Sequence, residues 1–280
     1  MYKFEPILKT LVWGTENWVL SGVPGNESVV TEGPDKGRKI TDIYPGQFPL
    51  LIKFIDARKD LSIQVHPNDE LAQKRHGCKG KTEMWYVIGA AEYAHLYSGL
   101  KEEINPDKYV ELVRKDRIVS VLADHKVAPG DVYFLPAGRI HAICGGCYLA
   151  EIQQTSDITY RIYDYNRPGL DGKPRQLHTE EAKDAIDYKV YPDYRTSYTP
   201  AEGRPVELAR CQHFTTNLLQ LSGSYEQPVE TDFLIFVCIG GSAALNGVSI
   251  KEGEAVLALS SDKSVRIVPD GSASFLTTHI

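Results

Sequence analysis

The sequence predicts a mainly β protein with a few short helices. Runs of alternating apolar and polar residues recur at intervals of roughly ten residues between turn signals. Segments with helical periodicity and a cap are few and short. Many short strands at such spacing suit a sandwich, barrel or jelly roll.

The expected strands of the first two thirds are Leu50–Asp56, Leu61–Val65, Glu83–Ile88, Lys126–Val127, Asp131–Leu135, His141–Ile143, Cys147–Gln153 and Ile158–Tyr163. Phe214–Leu221, Phe233–Ile239, Ser242–Leu245, Ala255–Leu259 and Ser264–Pro269 follow. Each combines β-branched or aromatic residues with flanking Gly, Pro, Asn or Asp. Helix is expected from Glu102 to Asp116, started by Asn105-Pro106, and over one or two turns from Asp69 to Lys74. A third helix is expected from Thr179 to Ala185, with Thr179 as cap and acidic residues in its first turn.

The segment from Tyr191 to Arg204 is rich in Pro, Tyr, Ser and Thr and reads as a linker. It divides the chain into an expected domain of residues 1–195 and a smaller one of residues 196–280. A weak internal repeat supports two β units. Val127-Ala128-Pro129-Gly130-Asp131-Val132-Tyr133-Phe134-Leu135 resembles Ile250-Lys251-Glu252-Gly253-Glu254-Ala255-Val256-Leu257-Ala258. With Gly130 matched to Gly253, His141 falls opposite Ser264, so a metal would belong to the first copy.

Composition excludes several function classes. The chain has 280 residues, 42% hydrophobic and 24% charged, as in ordinary soluble proteins. A net charge of −6 argues against a general nucleic-acid or membrane-surface binder. Five cysteines and no secretory h-region suit a reducing, cytoplasmic setting. No apolar run reaches the ~18 residues that a membrane span needs.

The chemistry concentrates in His66, Glu83 and His141, two imidazoles and a carboxylate on neighbouring strands. That donor set suits Zn²⁺, Fe²⁺ or Mn²⁺. Gln64 and His66 are two apart and share a strand face. His76, His95, His125, His178, His213 and His279 lack such spacing and read as ordinary surface or core histidines. Cys144-Gly145-Gly146-Cys147 has no second cysteine pair and reads as a tight turn.

Gly130, Pro136, Gly138 and His141 fill the pattern Gly, five residues, Pro, one residue, Gly, two residues, His. This resembles the second motif of the cupin superfamily, which implies two cupin-type jelly-roll β-barrels. The earlier motif is modified: Glu83 follows a longer loop than usual, and Gly89 lies one residue short of the common position. Ser62-Ile63-Gln64-Val65-His66-Pro67-Asn68-Asp69, Gly80-Lys81-Thr82-Glu83-Met84-Trp85-Tyr86 and the run from Glu151 to Tyr165 are more specific. With Val12-Trp13-Gly14 and Phe48-Pro49-Leu50-Leu51-Ile52-Lys53, they resemble type I mannose-6-phosphate isomerases of the short bacterial form.

That resemblance implies zinc-dependent interconversion of mannose 6-phosphate and fructose 6-phosphate through an enediolate. It implies one Zn²⁺ per chain, held by His66, Glu83 and His141 with Gln64 as fourth ligand. Arg161, Lys81 and Glu151 fall at catalytic positions. Lys53, Ser62 and Arg167 are candidates for the substrate phosphate. The expected partner is a small phosphosugar, not nucleic acid or membrane, bound by a monomer or homodimer. Physically, Arg161 is permanently cationic and can hold the enediolate charge, and the proton-transferring base is one of Lys81, Glu151, a histidine or metal-bound water. Two rival readings share the ligand set: an Fe(II) cupin dioxygenase and a non-catalytic sugar-binding cupin.

Overall fold

A computed structural model describes residues 1–280. The strands form three sheets of nine, five and seven strands. The five-stranded sheet runs Leu122–Lys126, His95–Leu100, His141–Ile143, Ile63–Val65, Tyr160–Tyr163. The seven-stranded sheet runs Val132–Leu135, Glu83–Ala90, Cys147–Gln154, Leu50–Ala57, Gly14–Val23, Ile7–Leu11, with Asn26–Glu27 paired to Gly14–Val23. The nine-stranded sheet runs Val206–Arg210, Thr215–Leu221, Ser264–His279, Phe233–Leu245, Ala255–Leu259, Tyr2–Phe4, Val30–Glu32, with two short hairpin strands at its side.

The mainly β content agrees with the sequence, but the jelly-roll barrels do not form: no sheet closes on itself. Closure needs the two outer strands of a sheet to pair, and here the edges are occupied otherwise. At the Tyr160–Tyr163 edge, Arg161 O accepts the His178 backbone N–H at 2.7 Å, and Arg161 N–H donates to the His178 ring Nδ1 at 3.1 Å. A side chain thus takes the place of a ladder partner. At the opposite edge, the Arg195 guanidinium donates to Lys126 O at 2.8 Å. The Val132–Leu135 edge meets only a single bridge, Tyr133 to Arg195.

The chain resolves into two compact units: residues 1–7, 18–52 and 196–280, and residues 8–17 and 53–195. The first holds the nine-stranded sheet, with Phe236, Val256, Ile267 and Phe275 in its core. The second holds the five-stranded sheet, His66, Glu83, His141 and the runs Ser62–Asp69, Gly80–Tyr86, Gly130–His141 and Glu151–Tyr165. One of its apolar clusters, including Ile55, Trp85, Val87, Leu96, Ile143 and Leu149, draws on strands of both the five- and seven-stranded sheets. Another packs Ile63, Val65, Ala142, Tyr160 and Ile162 with helix residues Tyr109, Leu112 and Ala182. Ile63 and Val65 thereby take one strand face, and Ser62, Gln64 and His66 are left to the other.

Three helices serve this unit. Asp69–His76 starts where Asn68 Oδ1 accepts the Leu71 N–H at 2.9 Å and stops at Gly77, whose φ is 64°. Pro106–Arg114 starts the same way, with Asn105 Oδ1 accepting from Lys108 N at 2.8 Å. Thr179–Ala185 has its expected bounds, but His178 is its cap, without a side-chain bond, and Thr179 lies inside the first turn. In the repeat, both Gly130 and Gly253 adopt positive φ, 93° and 87°, at equivalent turns. Phe233–Ile239 and Ser242–Leu245 are a single strand, Phe233–Leu245, whose register shifts near Gly240 and Gly241. No helix is long and apolar enough to cross a membrane.

Candidate functional site

Three pieces of chain bring the ligand set together. Ile63–Val65 leads into His66. His141 opens its strand directly opposite Gln64, which in turn faces Arg161 on the edge strand. Gln64, His141 and Arg161 thus form a row across three strands. Glu83 opens the strand Glu83–Ala90 of the other sheet. The loop between His66 and Glu83 is pinned by Asp69, whose Oδ1 accepts from Gly80 N at 2.8 Å and from the Gln154 amide at 3.1 Å. Gln154 Oε1 accepts the Thr82 N–H at 2.8 Å.

His66, Glu83 and His141 offer donor atoms that all lie within 4.8 Å of one another, and all three residues are buried. His66 Nε2 is 3.5 Å from Glu83 Oε2, and His141 Nε2 is 3.4 Å from Glu83 Oε1. Each ring's other nitrogen is committed. His66 Nδ1 donates to Ile158 O at 2.9 Å, and His141 Nδ1 donates to Arg139 O at 2.8 Å. A carbonyl only accepts, so each Nδ1 carries a proton and, in the neutral ring, Nε2 carries the lone pair. Burial, with Lys81 nearby, lowers the His66 pKa to about 3; burial also lowers that of His141. Burial alone would raise the Glu83 pKa, but the Lys81 ammonium outweighs it and holds it well below the usual range.

His66 Nε2 and both Glu83 oxygens are buried without a hydrogen-bond partner, though the Lys81 ammonium forms an ion pair with Oε2 from one side at 3.0 Å. Lone pairs therefore face one another across the centre, an arrangement that costs free energy unless a cation lies between them. Two neutral imidazoles, a carboxylate and the Gln64 amide fit a divalent metal such as zinc. The Gln64 amide nitrogen stands 3.3 Å from His141 Nε2, and turning the amide over presents its oxygen instead.

Beside the cluster runs a row of buried, alternating charges. Lys81 Nζ is 3.0 Å from Glu83 Oε2 and 3.8 Å from Glu151 Oε1. Lys53 Nζ is 3.0 Å from Glu151 Oε1 and 3.8 Å from Glu16 Oε2. Burial would lower the Lys53 pKa, but Glu151 and Glu16 outweigh it and raise it. Trp85 donates its indole N–H to Glu151 Oε2 at 2.9 Å, and its ring meets His141 edge-on at 5.3 Å. Ser62 is buried on the strand face of Gln64.

Arg161 is half-buried. One guanidinium nitrogen donates to Gln176 O at 2.9 Å, while its buried Nε has no partner. Burial lowers its pKa, and Arg175 adds to the effect. Arg167 and Arg175 both hold Asp164, at 2.8 and 2.6 Å. Two arginines thus share one carboxylate, and the charges of all three groups reach Arg161.

Glu16, Trp85, Arg139 and Arg175 complete these contacts and were not singled out by sequence. No sequence signal marks Glu16, which meets Lys53 only across neighbouring strands. None of the remaining histidines joins the cluster. Cys144 and Cys147 are buried free thiols apart from it, and burial pushes Cys147 up to about 11.

Comparison with known proteins agrees with this geometry. The description "Phosphomannose isomerase type I, catalytic domain" matches residues 15–87, which include His66 and Glu83. Mannose-6-phosphate isomerase ManA of Bacillus subtilis is 32% identical over 272 residues, covering 86% of this chain and 86% of that protein. The chain belongs to the type I phosphomannose isomerase family, within the cupin superfamily. Another family member, a mannose-6-phosphate isomerase of Streptococcus mutans, is 30% identical over 280 residues, covering 94% of this chain and 88% of that one. The crystal structure of the mannose 6-phosphate isomerase from Bacillus subtilis superposes with a TM-score of 0.92 at 29% identity, over 100% of this chain and 99% of that one. The family's fold is therefore built here around a His–Glu–His site that can bind a metal.

Proposed function

We propose that this chain interconverts mannose 6-phosphate and fructose 6-phosphate through an enediolate, with zinc at the His–Glu–His cluster. The observation that carries the reading is the pairing of that cluster with the buried charge row. A metal site alone would suit many chemistries. An aldose–ketose isomerase must also stabilise negative charge on two adjacent oxygens as a proton moves between C1 and C2.

His66, Glu83 and His141 hold the metal, and the Gln64 amide oxygen completes the set. When bound, zinc supplies Lewis acidity toward the sugar oxygens. Lys81, fixed between Glu83 and Glu151, offers its ammonium to the oxygens at C1 and C2. Arg161 presents a guanidinium from the row of Gln64 and His141 to the same developing charge. Glu151 fixes the two lysines. Its oxygens are taken up by Lys53 and the Trp85 indole, so it acts by holding cations in place. We assign Lys53 to that row, since its ammonium already faces two carboxylates.

For the phosphate we assign Arg167 and Arg175, with the Ser62 hydroxyl as a further donor. Their positive charge exceeds that of Asp164, and Arg is suited to bidentate phosphate binding. The dioxygenase reading has no use for this cationic surplus, and a pure binding module has no use for the lysines fixed beside the metal ligands.

The test is a coupled isomerase assay with metal content measured on the same sample. Conversion of mannose 6-phosphate to fructose 6-phosphate that tracks zinc occupancy supports the reading. Oxygen consumption with bound iron, or no turnover at full zinc occupancy, overturns it.

A further inference from the structure

We propose that Arg139 is a positioning residue for the metal centre, and that the segment Asp187–Tyr194 works through it as a clamp on the two ligand histidines. This rests on the reading of His66, Glu83 and His141 as metal ligands. Arg139 touches no donor atom of the cluster, but its backbone carbonyl accepts the His141 Nδ1–H at 2.8 Å. That bond sets the ring's tautomer and its angle toward the centre. The adjacent Gly138 donates its N–H to His66 O at 2.9 Å. One short turn therefore bears on both histidines.

The turn is held from its far side. The Arg139 guanidinium is buried and lies 4.7 Å from the Tyr191 ring centroid and 4.6 Å from that of Tyr194. A guanidinium against two aromatic faces is an attractive contact that strengthens with burial. Asp187 closes the clamp, its N–H donating to Gly138 O at 2.8 Å and its carboxylate accepting the Tyr191 hydroxyl at 2.6 Å. Tyr194 is anchored in turn. Its hydroxyl donates to Leu100 O at 2.7 Å and accepts the Tyr191 N–H at 3.1 Å. Its ring lies against Gly99, where an added Cβ would come within 2.1 Å of a ring carbon. Gly99 N–H donates to Ile140 O at 2.8 Å, the residue between Arg139 and His141. The start of the stretch that reads as a linker in the sequence is thus packed around the turn that orients the ligands.

The experiment is zinc affinity of the purified full chain, measured by competition with a chromophoric chelator. Arg139→Ala, Arg139→Lys, Tyr191→Leu and Tyr191→Phe are compared with wild type, with the thermal midpoint of each metal-free protein recorded alongside. Losing a group that orients a ligand costs on the order of 10–100-fold in metal affinity. Arg139→Ala and Tyr191→Leu should weaken zinc by about 10-fold or more. Tyr191→Phe, which keeps the ring face but loses the bond to Asp187, should weaken zinc less than Tyr191→Leu, and Arg139→Lys should fall between wild type and Arg139→Ala. Turnover of Arg139→Ala should recover toward wild type at saturating zinc, with KM for substrate unchanged. Wild-type zinc affinity in folded Arg139→Ala, or in Tyr191→Leu if Arg139→Ala does not fold, overturns the proposal. Equal weakening by Tyr191→Phe and Tyr191→Leu overturns the role of the ring face. Failure of wild type to bind zinc would instead overturn the metal reading on which the proposal rests.

Discussion

His66 Nε2 faces Glu83 Oε2 at 3.5 Å, with both atoms buried and neither hydrogen-bonded. A neutral imidazole and a carboxylate that present lone pairs to each other favour a bound cation, so the folded chain should bind metal and be stabilised by it. At a zinc concentration 100 times Kd, the stabilisation is about 2.7 kcal/mol. Stripping the metal should lower the thermal midpoint by on the order of 5 °C and abolish isomerase activity, with zinc restoring both. Unchanged midpoint and turnover after verified removal would count against the metal site.

Arg161 lies opposite Gln64, itself opposite His141, and its Nε is buried without a partner. Arg161→Ala should lower kcat by at least ~100-fold, the usual cost of losing a group that stabilises developing charge. Arg161→Lys should recover only part, because an ammonium lacks the planar fork. Steady-state kinetics at full zinc occupancy decides this, and wild-type kcat in the alanine variant removes the assigned role.

The His66–Glu83–His141 cluster was legible in the sequence because His66 follows a period-two strand and His141 closes a fixed-spacing turn. Spacing along the chain reports such placement directly. The starts of two helices were legible for a similar reason, since Asn68 and Asn105 satisfy backbone donors three residues ahead, but their ends were not: the helices run Asp69–His76 and Pro106–Arg114. Barrel closure was not legible. It depends on what meets each edge strand, and the cover for Tyr160–Tyr163 comes from His178, outside any strand pattern. The clamp tyrosines were read as linker because their partner, Arg139, lies some 50 residues earlier. Likewise Glu16 meets Lys53 only once the strands are laid side by side.

Glu151 binds Lys53 at 3.0 Å and the Trp85 indole at 2.9 Å, all three buried. Removing one partner of a buried ion pair leaves the other uncompensated, at a cost of about 3–5 kcal/mol. Lys53 keeps Glu16 at 3.8 Å, so Glu151→Leu should be destabilised by up to about that amount in urea unfolding. Adding Lys53→Met should return part of the loss, because the stranded ammonium is gone. Simple additivity of the two substitutions would show that the pair is not coupled.

Asp164 gives the acid side of the stability profile. Burial would raise its pKa, but Arg175 and Arg167 outweigh this and hold it below the ordinary value. A carboxyl with a lower pKa folded than unfolded binds fewer protons in the native state. Its contribution is then fully present above the unfolded value, near ~3.9, and is lost as pH falls through the folded value. Stability should therefore drop through this range in wild type, and the drop should be shallower in Asp164→Asn, which has no carboxyl to protonate. The variant should also be less stable at pH ~7, where the ionised group counts in full. Urea unfolding of both proteins across the acid range measures the two slopes. Parallel profiles would mean that the Asp164 pair with Arg167 and Arg175 contributes nothing to acid unfolding, and that another buried carboxylate, such as Glu83, sets the limit.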